Sequence, residues 1–157
     1  MWPSLTAGAA VPLQIEAATN KENVYVIDFA DTTQINAEAT LGMPSDWDGG
    51  TVTATFYWLI DSTSTNAALW GCQGRSFGDA ETLDQAFGTA QTVTDAGSGT
   101  ANQVLKSAAT SAITLGGTPA ASEMVQFRVY RDGSQGGDTL TGITARLLGV
   151  IITYTRT

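Results

Sequence analysis

The ten residues from Thr51 to Ile60, TVTATFYWLI, constrain the fold more than any other stretch of this chain. Val52, Ala54, Phe56, Trp58 and Ile60 share one parity, and Thr51, Thr53, Thr55 and Tyr57 the other. Successive side chains of a pleated backbone point to opposite sides, so a period of two marks a strand with one face in a core and one in water. Its β-branched and aromatic residues suit that half-buried surface.

The same period recurs along the chain. NVYVIDF puts Tyr25, Ile27 and Phe29 on one face, and QINAEATL sets Ile35, Ala37, Ala39 and Leu41 against Gln34, Asn36, Glu38 and Thr40. AALWGCQGRSF reads as a further strand, bent or bulged at Gly71 and Gly74. MVQFRVYR and RLLGVIITYT form a closing pair joined by a Gly/Asp-rich excursion, and short strands are predicted at 91–94 and 111–115. MPSDWDGG, DSTSTN and DAGSGTANQ supply turn residues between them. GDAETLDQAFG is the one place the pattern allows helix, a short one opened by Asp79 and closed at Gly88.

About eight strands with turns between them and no βαβ alternation predict an all-β chain, an antiparallel β-sandwich of jelly-roll or Greek-key type with one short helix. The core is expected from Phe56, Trp58, Trp70, Phe127, Val129, Val150 and Ile152. Residues 1–20, with Pro3 and Pro12 and little periodicity, read as an extended N-terminal arm or a poorly paired edge, and 21–157 as a single domain.

The final strand breaks the rule that one face is polar. Leu148, Val150, Ile152 and Tyr154 alternate with Leu147 and Ile151, so both sides are apolar. Either the domain's own loops cover both sides, or Leu147 and Ile151, with Tyr57 nearby, meet a neighbouring subunit. A homo-oligomer, a trimer in the simplest symmetric form, is the expectation that follows.

Charged residues are only 14% of the chain, against about 25% in typical domains. The net charge of −8 is lopsided: residues 1–70 hold eight acids and one base, and 71–157 hold seven acids and six bases. With no basic patch to follow a phosphate backbone, nucleic acid is not an expected partner. No run reaches the roughly 18–20 apolar residues of a membrane span. The N-terminus lacks the basic region of a signal peptide, so the chain reads as soluble and assembled in a cytoplasm. Cys72 is the single cysteine, so no internal disulfide forms, and it reads as a small buried thiol.

Catalytic chemistry is nearly absent. With no histidine there is no Ser-His-Asp triad and no imidazole metal site, and GSQGGD lacks the Lys-Ser/Thr of a phosphate loop. Asp79, Glu81 and Asp84 read as solvated acids at a helix start. Asp46 and Asp48, flanking Trp47 in a Gly turn, are weak candidates for calcium, though the spacing is not that of an EF-hand and Asp-Gly is itself a turn signal. Asp132 and Asp138 border a loop, and Arg128 and Arg131 read as a surface ion-pair strand end. Trp47 and Tyr57 are candidates for stacking on a sugar ring. No cofactor is expected.

The blocks ATNKENVYVIDF, MPSDWDGGTVTATFYW, WGCQGRSFGDAETLDQAFGTAQTVTD and GGTPAASEMVQFRVYRDGSQGGDTLTGITARLLGVIITYT resemble, in order and over residues 18–155, a family of small virion or tail-associated structural proteins of tailed bacteriophages. The P-x-x-W-x-x-G-T-V-T and F-R-V-Y-R-D…D-T-L patterns are the most distinctive. The resemblance implies a jelly-roll-like β domain without a catalytic motif, located in the virion. Its expected partners are copies of itself and other virion proteins such as the major capsid protein. Two placements follow from it: a capsid decoration or head-surface protein, or a tail or fibre protein that binds a host receptor or glycan. A carbohydrate-binding module outside any virus is a third reading, and an enzyme the remotest.

Overall fold

The computed structural model describes residues 1–3 and 10–157. Among these residues ten strands are formed: β1 (Trp2–Pro3), β2 (Val11–Glu16), β3 (Asn23–Phe29), β4 (Ile35–Gly42), β5 (Trp47–Leu59), β6 (Ala67–Phe77), β7 (Gln91–Ala96), β8 (Leu105–Lys106), β9 (Met124–Arg131) and β10 (Ala145–Arg156). They make two five-stranded sheets, sheet A in the order β1-β4-β9-β6-β7 and sheet B in the order β2-β3-β10-β5-β8. Every strand pairing is antiparallel.

From β3 onward the chain winds between the sheets, with β6–β7 the only consecutive pair in one sheet. Four strands of each sheet, β4-β9-β6-β7 and β3-β10-β5-β8, therefore build a jelly roll. The remaining two, β1 and β2, extend one edge of each sheet. Residues 11–16, expected in a free arm or a poorly paired edge, pair with β3 in continuous register from Val11↔Asp28 to Glu16↔Asn23.

The sandwich closes on an aromatic cluster. Trp70 of sheet A stacks on Phe56 of sheet B at 5.6 Å between ring centroids and 16° between planes. It also meets Trp58 at 5.9 Å and Phe29 at 5.3 Å edge-on. Such pairs add about 0.5–1.5 kcal/mol each beyond their area burial. Phe127 and Val129 are buried in the same core, and Val150 and Ile152 are half-buried and pack against it.

Four expectations need correction. Leu147, expected at an interface, is 2% exposed and belongs to the core. Its pairing with Trp58 is followed by Gly149 with Tyr57, so Leu148 is an extra residue, a β-bulge. The bulge shifts the phase of β10: Ala145 and Leu147 face inward before it, Val150, Ile152 and Tyr154 after it. Leu148 and Ile151 are left on the outside.

The segment predicted as a short helix, 79–88, is a turn at Asp79–Ala80 followed by irregular chain with a bend at Leu83. Ala80 has φ +62°, the Glu81 carboxylate is taken by Arg75 and the Gly78 N–H, and the Gly88 N–H donates to the Gly74 carbonyl. A two-turn helix gains little against its nucleation cost, so these anchors to the sheet win. Gly71 and Gly74, expected to bend or bulge β6, introduce no bulge against β9, the register running on without a shift. Arg131 and Trp47, read as surface residues, are 0% and 1% exposed.

Candidate functional site

The two outer faces of the sandwich differ in kind. On sheet B, residues of alternate parity to the core form an apolar face: Leu13, Ile15, Val24, Val26, Leu148, Leu59, Tyr57 and Ile151. Val26 and Leu59 are buried yet stand apart from the core cluster, which places them in the floor of this face. Ile151 is 48% exposed and Val104, from the loop before β8, is 56% exposed. Three adjoining hollows, of about 620, 370 and 300 Å³, all have Leu148 in their wall. The bulge that buried Leu147 is what turned Leu148 out to join them.

The rim of this face is charged. Arg146 bridges Asp28 (Nε to Oδ1, 3.3 Å) and Asp61 (Nη2 to Oδ2, 2.8 Å). Burial raises the Asp28 pKa, opposed by Arg146 and aided by the nearby Asp61 charge. Lys106 lies 5.7 Å from the centre of the Tyr57 ring, a cation over the ring face.

On sheet A the outer face is polar and rigidly held. Register places Trp2, Glu38, Arg128 and Gln73 in one row across four strands. Glu38 Oε1 accepts from Arg128 Nε at 2.8 Å and pairs with Nη2 at 2.7 Å, and its Oε2 accepts from Gln126. The Arg128 guanidinium sits 4.3 Å over the Phe87 ring, which belongs to the irregular segment after Gly78. Trp2 stands beside Glu38 and is 77% exposed. In the next row Tyr130 lies across Gly71, where a Cβ would come 2.1 Å from the ring. Only glycine allows that close approach.

The other candidates from the sequence have structural work. Asp46 Oδ1 accepts from the Tyr154 hydroxyl at 3.2 Å, its Oδ2 pairs with Arg156 at 3.3 Å, and its carbonyl accepts from the Thr157 N–H. Asp48 accepts from the Gly50 N–H at 2.8 Å, closing the turn. The calcium candidates thus fasten the C-terminus and shape a turn. Among the described residues no group of three or more metal-ligating side chains comes together. Burial pushes the Cys72 thiol up to about 12, so it stays protonated and inert.

Arg131 and Asp138 are the pair that sequence reasoning misread. Arg131 Nε and Nη2 donate to the two Asp138 oxygens at 2.8 Å each. Its remaining donors reach the carbonyls of Phe29 (3.1 Å), Ile143 (2.7 Å) and Leu140 (2.8 Å). Asp138 also accepts from the backbone of Leu69 and Leu140. All five guanidinium donors are used, which is what a fully buried charge requires. This bolt ties β3 of sheet B to β6 and β9 of sheet A and holds the loop from Asp132 to Thr144. The opposite charges seven residues apart at the two ends of RDGSQGGD were the available signal.

No protein-family model matches this sequence, and no curated protein matches it. Among solved structures, the chain is similar to TmCBM61 in complex with β-1,4-galactotriose, with 9% identity over 92% of this chain and 83% of that one at a TM-score of 0.43. It is also similar to the CBM22-2 xylan-binding domain of Paenibacillus barcinonensis Xyn10C, with 14% identity over 95% and 89% of the two chains at a TM-score of 0.47. At such identities and scores these likenesses bear on neither ligand nor role.

Proposed function

We propose that this chain is a non-enzymatic structural protein of a tailed-phage virion, a capsid decoration or head-surface protein that works as a homo-oligomer. Copies meet through the outer face of sheet B. The observation that carries the assembly part is the continuous apolar surface of Leu13, Val104, Tyr57, Leu148 and Ile151, which the isolated chain leaves to water. Removing apolar surface from water yields about 25 cal/mol per Å², and a standard interface takes about 800 Å² from each partner. A subunit with net charge −8 repels its copies, so association has to draw on such a surface. Trimeric symmetry lets one assembly present identical feet to a symmetric shell.

The virion location is supported by the ordered sequence blocks over residues 18–155. A tail or fibre position is the alternative placement. Immunogold labelling of particles from the phage that encodes the chain separates them: label over the head supports decoration, label confined to the tail replaces it, and unlabelled particles contradict both.

A further inference from the structure

The polar face of sheet A has features that the assembly reading does not use. Its charges are already neutralised: Glu38 holds Arg128 through Nε and Nη2 and takes a third hydrogen bond from Gln126. An anionic ligand would find no free cation in that row, and a cationic one no free carboxylate. Yet Glu38 and Arg128 keep 23% and 31% of their side-chain surface exposed, and a carboxylate offers four lone-pair sites. Fixed by one another and by the Phe87 ring, these groups lose little freedom when a ligand binds.

Trp2 adds a flat apolar surface at the end of the same row. Its 77% exposure is the largest of any aromatic residue among the described residues, with Tyr25 next at 73%. Neighbouring strands lie about 4.8 Å apart, so the row from Trp2 to Gln73 spans roughly 14 Å, three sugar rings or so end to end.

We infer that this row is a binding site for a neutral saccharide, with the apolar C–H face of one pyranose ring on the Trp2 indole and hydroxyls of the next shared between Glu38, Arg128 and Gln126. A sugar hydroxyl both donates and accepts, so it complements a carboxylate and a guanidinium side by side without adding charge. The indole face is electron-rich and the pyranose C–H bonds are weakly positive, which favours stacking. The site is independent of the assembly reading, because it lies on the opposite outer face of the sandwich.

The test is a glycan array covering neutral plant and bacterial polysaccharides, followed by titration of the best-binding oligosaccharide into the intact protein with tryptophan emission as readout. Trp47, Trp58 and Trp70 are buried, so a change in emission on binding is expected from Trp2. The expected result is a neutral glycan whose binding weakens tenfold or more in Trp2→Ala and several-fold in Arg128→Lys, with unchanged circular dichroism. Neutral and uronate-bearing forms of the same chain should differ in favour of the neutral one. No bound glycan on the array, or binding that is unchanged in Trp2→Ala, overturns the proposal.

Discussion

The outer face of sheet B and the outer face of sheet A sit on the same sandwich and share one aromatic core, yet they solve opposite problems. Sheet B leaves Ile151, Val104 and Leu13 partly in water, with charges such as Arg146, Asp28 and Asp61 at the rim. Sheet A spends its charges on one another, in the Glu38–Arg128–Gln126 group and the Arg75–Glu81 pair, and lays aromatic rings beside them. An apolar surface gains from excluding water over a broad area, whereas an array of satisfied polar groups recognises shape and hydrogen bonding. On our two proposals, the difference assigns one side of the molecule to association and the other to recognition.

Removing what both faces share has the largest expected effect. Trp70→Ala takes out the ring that Phe29, Phe56 and Trp58 all touch. It should cost about 3–5 kcal/mol, a large share of the roughly 5–15 kcal/mol that stabilises a typical domain, and be read as a large drop in melting temperature. A Trp70→Ala variant that melts like the parent would mean the two sheets do not depend on that contact.

The bulge at Leu148 gives a sharper contrast. Leu147→Ala should cost about 2–5 kcal/mol, because it empties a buried site. Ile151→Ala, four residues on, should change monomer stability by no more than about 0.5 kcal/mol. Equal losses in urea melts of the two variants would place both side chains on one face and remove the bulge from the account.

On sheet A, Gly71→Ala is expected to displace the Tyr130 ring, at a cost of about 1–3 kcal/mol, since overpacking forces neighbours off their preferred positions. Urea denaturation measures it, and an unchanged midpoint would show that the ring has room to move.

Most of the fold was legible in the sequence, and the failures have physical causes. Alternation in TVTATFYWLI, NVYVIDF and MVQFRVYR located strands and core because the period of two is local. The inserted residue at Leu148 has no local mark beyond the glycine after it, so the faces of β10 were assigned with Leu147 and Leu148 exchanged. The helix at 79–88 looked right by its caps and failed because Glu81 and Gly88 bind β6 instead. Arg131 was taken for a surface charge because its partner, Asp138, lies across a loop and its carbonyl partners come from two separate segments, β3 and the loop before β10. Of the candidate surfaces, Ile151 and Tyr57 were read from β10 and β5, but the Trp2–Glu38–Arg128 row was not. Strand pairing that assembles side chains from residues 2, 38 and 128 is invisible to any window along the chain.

A smaller effect tests the rim of sheet B. Asp28 has its pKa raised above the ordinary 3.8, burial being the main cause. An acid with a raised folded pKa stabilises most while protonated, below its unfolded pKa, and that contribution is lost as pH rises through the folded value. Asp28→Asn stays neutral, so its stability relative to the parent should rise between pH 4 and neutrality. Melting temperatures across that range check it; a relative stability that falls with pH would mean that the Arg146 pairing outweighs burial.

The claim that the apolar face of sheet B joins copies of this chain is tested most directly by its mass in solution. Multi-angle light scattering at micromolar concentration should give an integral multiple of 16.3 kDa for the parent chain, three in our reading, and 16.3 kDa for Ile151→Glu with unchanged circular dichroism. A parent chain that elutes as a monomer, or an Ile151→Glu variant that keeps the parent's mass, would contradict it.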